Sequence, residues 1–300
     1  MVARIALVGP GAIGATVAAL LHAAGHHVIV CGRSARPSIE VRVDDPDKGV
    51  SGPLVVPGPV LTDPDSVTDP VDVVLWGVKD TQNADASVWL ERLCGAGTVV
   101  CALQNGVEQV ERVGRYCPGS TVVPSVVWIS AERQPEGWVR LRTSARLVLP
   151  DDDAGRRLAD LLRVPGLTVE NDPDYVSATW HKLLTNAVAG LMVLTGRRSG
   201  MFRREDIAAL THRYAAEALA VARAEGAVLG DDVPEQLGRL FASVPEDMTT
   251  SMLTDREAGV PLEWDIRNGV ILRKARAHGL PAPISEVLVP LLAAADEGPG

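Results

Sequence analysis

Residues 4–33 read RIALVGPGAIGATVAALLHAAGHHVIVCGR, and this stretch decides the fold of the first half of the chain. The apolar run from Arg4 predicts a short buried strand that leads into the turn Gly9–Gly14, GPGAIG. An apolar helix is predicted to Ala24, and His27–Cys31 is predicted as a second strand. Strand, glycine turn, helix and strand in this order are typical of a dinucleotide-binding unit.

Each glycine of the turn has a separate physical role. Gly9 permits the tight turn, Gly11 lets the backbone approach a pyrophosphate, and Gly14 lets the helix pack closely on the strand. The N-terminus of the following helix offers unpaired N–H groups and the positive end of a dipole to the phosphates. A plain glycine-rich turn is the alternative interpretation of the motif alone. The predicted cofactor-binding residues of the turn are Gly9, Pro10, Gly11, Ala12, Ile13 and Gly14.

The end of the second strand indicates which dinucleotide is bound. An NAD site places Asp or Glu about 20 residues past the glycines, where the carboxylate holds the ribose 2′-hydroxyl. This chain has Gly32-Arg33-Ser34 instead. A guanidinium suits a 2′-phosphate through charge-assisted hydrogen bonds, so we predict NADP(H). The alternative is that Arg33 is an ordinary solvated arginine.

Two further strands end in polar residues. Val71–Trp76 is followed by Gly77-Val78-Lys79, and Thr98–Leu103 is followed by Gln104-Asn105-Gly106. Ligands in open α/β sheets bind outside the carboxyl ends of the strands. Lys79 and Asn105 are therefore predicted to face the cofactor crevice.

The pattern changes near residues 171–174, and the remainder of the chain is predicted to be helical. We therefore predict an α/β fold class: a Rossmann-like NADP(H)-binding domain over residues 1–172 and an all-α substrate domain over residues 173–300. The predicted helices of the second domain cover about 175–194, 204–229, 263–278 and 285–295.

Composition excludes several classes of function. The chain has 300 residues, 46% hydrophobic content and a net charge of −9, with no basic run to bind nucleic acid. Its four cysteines have no metal-ligand spacing, which predicts neither a metal site nor a disulfide framework. Residues 5–25 carry no Asp, Glu, Lys or Arg, but the glycine turn interrupts them early. We expect no membrane span and a cytoplasmic location.

One lysine of the second half is a candidate general acid. Lys182 and Asn186 are four residues apart on a predicted helix and so share a face. The chain has 29 Lys and Arg, of which only Lys48, Lys79, Lys182 and Lys274 are lysine. Lysine, unlike arginine, can release its proton when it is desolvated. From spacing alone, a solvated lysine beside a mid-helix asparagine is the alternative.

Five blocks together resemble the ketopantoate reductase family, the 2-dehydropantoate 2-reductases of pantothenate synthesis. They are GPGAIG, Gly77-Val-Lys79, Gln104-Asn-Gly106, Trp180-His-Lys-Leu-Leu-Thr-Asn186 and the block from Thr250 to Gly269. They occur in the family's order and span almost the whole chain. The resemblance implies NADPH-dependent reduction of a 2-oxo acid, in a cleft between two domains that closes by hinge motion.

The resemblance also implies roles for individual residues. The 2′-phosphate-binding positions match Arg33 and Lys79, and the asparagine that contacts both cofactor and substrate matches Asn105. The general-acid lysine matches Lys182, and a neighbouring substrate asparagine matches Asn186.

Two more roles follow from the C-terminal block. A serine that binds the substrate carboxylate matches Ser251, and a glutamate that lies beside the cofactor matches Glu263. The chain departs from the family at Gly190, where many members carry a second substrate asparagine. We expect open space beside Asn186 there, filled by a water or by a 2-oxo acid that is bulkier or less hydroxylated than ketopantoate.

Other classes of protein share part of this pattern. β-Hydroxyacid dehydrogenases and imine reductases also join a Rossmann domain to a helical one, and an NADP(H)-binding sensor without catalysis is a third interpretation. A homodimer is compatible with the sequence, since four apolar residues suit either a dimer face or the core. They are Met192, Leu194, Met201 and Phe202.

Overall fold

The computed structural model describes residues 3–44 and 52–298, so Lys48 lies outside the described residues. The chain divides into two compact units, Met1–Tyr175 and Val176–Gly300, called here the N-terminal unit and the helical unit. In the described part of the chain, every helix is too short or too polar to cross a membrane.

The N-terminal unit alternates strands and helices. Its described strands are β1 (Arg4–Val8), β2 (His27–Cys31), β3 (Ser38–Val43), β4 (Leu54–Pro57), β5 (Val73–Trp76), β6 (Val99–Ala102), β7 (Thr121–Pro124), β8 (Val126–Trp128), β9 (Ala131–Arg133), β10 (Val139–Leu141), β11 (Ala145–Pro150) and β12 (Leu167–Asp172). Its described helices are α1 (Ala12–Ala23), α2 (Asn83–Leu93), α3 (Gln109–Gly114) and α4 (Asp153–Leu162).

The main sheet has the strand order β2-β1-β5-β6-β7, and every neighbouring pair is parallel. Strand order reverses between β1 and β5, which is the point where open α/β sheets bind ligands. All four residues of β5 are buried, as expected for a strand with both faces covered. The predicted Rossmann-like architecture is confirmed.

Two smaller sheets complete the N-terminal unit, in the orders β4-β3-β10-β9 and β12-β11-β8. In the first of these sheets, β3 and β4 pair antiparallel. The neighbouring strands β7 and β8 belong to different sheets. The chain leaves the main sheet at Ser125, whose hydroxyl donates to the carbonyl of Ala102 at 2.7 Å, and β8 then pairs with β11.

The helical unit contains α5, which begins in the last residue of the N-terminal unit, and five further helices among its described residues. They are α5 (Tyr175–Thr195), α6 (Glu205–Ala224), α7 (Val233–Ser243), α8 (Ser251–Glu257), α9 (Val270–Ala277) and α10 (Pro283–Asp296). The sequence patterns did not predict α7 or α8. A five-residue π-helical segment, Asp265–Gly269, precedes α9 without a break. This confirms the predicted all-α architecture of the second half.

Three of the four residues that suited either a dimer face or the core are core residues. Met192, Met201 and Phe202 are buried within the helical unit, while Leu194 is half-buried. The ring of Phe202 lies 4.5 Å from that of Phe241, measured between centroids. The apolar character of these positions is therefore explained by packing within one chain.

Candidate active site

The glycine turn after β1 has the shape of a dinucleotide cradle. Gly9 has φ +85°, and a Cβ there would lie 2.6 Å from Cγ1 of Val78. A Cβ on Gly14 would lie 2.6 Å from Cδ1 of Leu7. Gly11 differs, because among the described residues its Cβ would meet only the carbonyl oxygen of Gly77, at 4.0 Å. The turn is therefore packed on the protein side and open at Gly11.

The N-terminus of α1 adds hydrogen-bond donors to this cradle. Among the residues that the structure describes, no side chain caps the helix at Gly11 or accepts from the first N–H groups of α1. Unpaired amides at a helix N-terminus bind phosphate. The residues present therefore fit the pyrophosphate of a dinucleotide.

Arg33 lies just beyond the carboxyl end of β2, on the same edge of the main sheet as the glycine turn. Its side chain is exposed, and it forms no hydrogen bond or ion pair with residues 3–44 or 52–298. Next to it, Gly32 is packed against Pro10, since a Cβ on Gly32 would lie 2.9 Å from Cδ of Pro10. An exposed guanidinium at this edge is suited to bind an anionic group.

Buried side-chain amides join the carboxyl ends of β5 and β6. Oδ1 of Asn83 accepts hydrogen bonds from Nε1 of Trp76 at 2.8 Å and from Nε2 of Gln104 at 2.7 Å. Gln104 also donates to the carbonyl of Val78 at 2.9 Å. The segments that carry Lys79 and Asn105 are thereby held together.

Sequence reasoning predicted Lys79 and Asn105 but missed Asn83 and the role of Gln104. Lys79 and Asn105 are both half-buried at the carboxyl edge of the main sheet. Asn83 is the first residue of α2, and its burial follows from contacts 7 and 21 residues away. No sequence pattern identifies such contacts.

A second residue missed from sequence is Arg133 in β9. Its guanidinium donates a hydrogen bond to the carbonyl oxygen of Pro10, inside the glycine turn. It also donates to the carbonyl of Gly137 at 3.3 Å. Arg133 therefore ties the small second sheet to the turn that follows β1.

In the helical unit, Lys182 and Asn186 lie one turn apart on α5, and both are half-buried. Burial, followed by the positive charge of Arg267, lowers the pKa of Lys182 to about 8. A pKa near the operating pH suits a general acid, because the group is still protonated yet releases its proton readily.

Ser251 and Glu263 are brought together by a residue that the sequence analysis did not single out. Nη2 of Arg267 donates to Oγ of Ser251 and to Oε2 of Glu263, each at 3.0 Å. The side chains of Arg267 and Glu263 are only 4% and 6% exposed, so this is a buried ion pair. The only sign of this pair in the sequence is that Arg267 follows Glu263 by four residues, a spacing that brings side chains together on a helix.

The segment around Glu263 is anchored to the end of α10. Oδ1 of Asp296 accepts from the backbone N–H of Leu262 at 2.6 Å, and its Oδ2 accepts from Nε1 of Trp264 at 3.3 Å. Both residues that flank Glu263 are therefore held by one carboxylate.

The expectation of open space at Gly190 is wrong. A Cβ on Gly190 would lie 2.8 Å from Nδ2 and 3.0 Å from Oδ1 of Asn268. The same Nδ2 donates to the carbonyl of Ala187 at 3.0 Å and to the hydroxyl of Tyr214 at 2.9 Å. The fully buried Asn268 thus fills the space beside Gly190, so Gly190 gives no reason to expect a bulkier substrate.

Comparison with known proteins agrees with these features. The family model described as ketopantoate reductase PanE/ApbA matches residues 5–153, and its C-terminal counterpart matches residues 174–296. A 2-dehydropantoate 2-reductase from Mycobacterium tuberculosis (strain ATCC 25618 / H37Rv) is 62% identical over 300 residues, which is 100% of both chains.

Two more distant relatives extend the similarity. A 2-dehydropantoate 2-reductase from Caulobacter vibrioides is 36% identical, over 97% of this chain and 98% of that protein. The structure of a dimeric ketopantoate reductase from Staphylococcus aureus superposes with a TM-score of 0.88 at 25% identity, covering 99% of this chain and all of the other. With the dinucleotide cradle and the buried cluster beside Lys182, these matches show that the chain belongs to the ketopantoate reductase PanE/ApbA family, whose members are oxidoreductases that use a nicotinamide cofactor.

Proposed function

We propose that this protein is an NADPH-dependent 2-dehydropantoate 2-reductase, which reduces ketopantoate to (R)-pantoate. The observation that carries the proposal is the half-buried Lys182, whose pKa is lowered to about 8 beside the buried Arg267. The 62% identity to a full-length 2-dehydropantoate 2-reductase supports the choice of substrate.

The reaction needs a hydride at the 2-keto carbon and a proton at its oxygen. The nicotinamide, when bound, supplies the hydride. The ammonium of Lys182 donates the proton, and its charge stabilises the oxyanion that develops as the C=O bond is reduced. Ser251 binds the substrate carboxylate, and Asn186, one turn from Lys182, binds a substrate polar group.

The N-terminal unit would hold the cofactor. Arg33 and Lys79 bind the 2′-phosphate and so select NADPH, and the turn from Gly9 to Gly14 binds the pyrophosphate. Asn105 orders the nicotinamide and the substrate carbonyl, and Glu263 orients Lys182 or a cofactor hydroxyl. By analogy with the dimeric Staphylococcus aureus relative, we also propose a homodimer.

The test is NADPH oxidation, followed by absorbance, with ketopantoate and a panel of branched and aromatic 2-oxo acids. We expect ketopantoate to give the highest kcat/KM. Good turnover only on another 2-oxo acid would contradict the proposed substrate while keeping the chemistry. Tight NADPH binding without turnover of any 2-oxo acid would contradict the enzyme itself.

Lys182→Ala tests the general acid. We expect kcat to fall about 10²- to 10⁴-fold, because the proton donor is lost. The affinity for NADPH, measured by fluorescence titration, should change little. The matched control is Lys274→Ala. Lys274 forms an ion pair with Glu225, with 2.9 Å between Nζ and Oε2, and has no role in the proposed mechanism. Unchanged turnover of Lys182→Ala would end the assignment.

A further inference from the structure

The helical unit contains a buried cation, Arg267, to which the proposed mechanism assigns no part in holding the substrate. Arg267 is 3% exposed and lies within the π-helical segment, in a run of seven buried residues, 266–272. Taking a guanidinium and a carboxylate out of water is costly, and a buried pair is weak evidence for stability. The presence of Arg267 at this point therefore calls for a functional explanation.

Hydrogen-bond chemistry fixes the direction of each contact of Arg267. A guanidinium has five donors and no acceptor, and a carboxylate only accepts. The 3.0 Å contact to Ser251 must therefore run from Nη2 into a lone pair of Oγ. The other N–H of Nη2 is directed to Oε2 of Glu263.

This direction has a consequence for Ser251. A serine hydroxyl has one hydrogen to donate and two lone pairs to accept with. Because Arg267 occupies a lone pair, the hydroxyl hydrogen remains available, and the exposed Ser251 can direct it to a ligand outside the fold. A charged donor also polarises the hydroxyl and strengthens the bond that it donates onward.

We propose that Arg267 is a positioning residue of the active site: held by Glu263, it fixes the Ser251 hydroxyl as a hydrogen-bond donor to the carboxylate of the 2-oxo acid. The chain of contacts runs from Glu263 through Arg267 and Ser251 to the substrate. This inference rests on the proposed function, because that function supplies the carboxylate that Ser251 binds.

Arg267 also influences the general acid. Its charge, after burial, lowers the pKa of Lys182, and that charge is itself paired with Glu263. Beside it on α5, His181 is also titratable, and burial followed by the charge of Lys182 lowers the pKa of His181. Lys182 donates a proton in its charged form, so the reduction rate should fall as pH rises through about 8.

Two substitutions separate the contact from the charge. Arg267→Lys keeps a positive charge but not the reach of Nη2, so it should raise KM for the 2-oxo acid roughly tenfold, the value of one charge-assisted hydrogen bond. In this variant, the fall in reduction rate at alkaline pH should stay near the wild-type pH. Arg267→Gln removes the charge, so the alkaline fall in reduction rate should move to higher pH by about one unit.

A double-mutant cycle tests whether Arg267 acts through Ser251. We expect Ser251→Ala to raise KM by a similar factor, and Arg267→Lys to add little in that background. Independent, multiplying effects on KM would overturn the proposed route through Ser251. Arg267→Gln removes the cation paired with the buried Glu263, so the folding of this variant is checked by circular dichroism. If Arg267→Gln fails to fold, the cycle is completed with Arg267→Lys alone.

A readout without turnover separates this inference from the proposed function. Competitive acetylation at trace reagent, resolved by mass spectrometry, gives the titration midpoint of Lys182, with Lys79 and Lys274 as internal references. The midpoint should rise in Arg267→Gln and stay in Arg267→Lys. If the midpoint responds but wild type reduces no 2-oxo acid, the proposed function fails and the electrostatic role stands. If the wild type is active but the Lys182 midpoint and the KM for the 2-oxo acid are unchanged in both Arg267 variants, the inference fails.

Discussion

At the scale of single residues, Gly190 is a position where Asn268 packs too closely on α5 to leave room for a side chain. Its lack of a side chain predicts a gap, yet the carboxamide of Asn268 lies against it. That carboxamide donates hydrogen bonds to the carbonyl of Ala187, which lies on α5 with Gly190, and to the hydroxyl of Tyr214 on α6. Gly190 is therefore a close-packing position, and the glycine is needed because a neighbour fills the space.

Gly190→Ala should lower the free energy of unfolding by about 1–3 kcal/mol, the usual cost of overpacking a core. Asn268 cannot move aside without losing two hydrogen bonds. The matched control is Gly238→Ala in α7, where a Cβ meets no described atom within 4 Å. That change should stabilise by about 0.5–1 kcal/mol, since alanine restricts the unfolded chain. Urea denaturation measures both, and equal effects would contradict the packing role.

At the scale of elements, the π-helical segment is the feature that organises the helical unit. π-Helical turns are rare and often lie at functional sites. Here the segment places Arg267 and Asn268 side by side in the interior, where one contacts Ser251 and Glu263 and the other contacts α5 and α6. Asp296 at the end of α10 holds the chain just before it.

Asp296→Ala should release the segment that carries Glu263. Two hydrogen bonds to a carboxylate are lost, so we expect the free energy of unfolding to fall by about 1–3 kcal/mol. We also expect kcat/KM to fall, since Glu263 is no longer held from both sides. Glu297→Ala is the control, because Glu297 is the next residue and is exposed. Chemical denaturation and steady-state kinetics check the pair; wild-type kcat/KM in Asp296→Ala would contradict the anchoring role.

At the scale of the whole molecule, the chain separates its chemistry between two units. The proposed cofactor residues lie mostly on the carboxyl edge of a parallel sheet, and the proposed proton donor lies on a helix of the second unit. A ligand that binds only the native state stabilises it by mass action. Cofactor preference is therefore measurable on the intact protein without any substrate.

NADPH should raise Tm more than NADH at equal concentration, because only NADPH offers a 2′-phosphate to Arg33. At a hundredfold excess over Kd the stabilisation is about 2.7 kcal/mol. Arg33→Ala should reduce the NADPH shift towards the NADH value, with Lys79 still in place to bind the 2′-phosphate. Arg213→Ala, an exposed arginine on α6, should leave it unchanged. Equal shifts for the two cofactors in wild type would contradict the NADP(H) prediction.

The sequence by itself determined the dinucleotide turn, the alternation of strands and helices, and the all-α second half. These depend on local requirements: Gly9 needs φ +85°, and buried parallel strands need continuous apolar runs. Comparison of the five sequence blocks with a known family also predicted Ser251 and Glu263. Such features are visible in sequence because neighbours along the chain specify them.

Only the tertiary structure decided what surrounds those residues. The amide of Asn268 contacts a carbonyl 81 residues away, and Oδ1 of Asn83 accepts from an amide 21 residues away. Arg267 resembles any surface arginine in sequence, yet folding buries it between Ser251 and Glu263. A buried polar group must find its partner wherever the fold brings one, and composition or periodicity does not encode that partner's position.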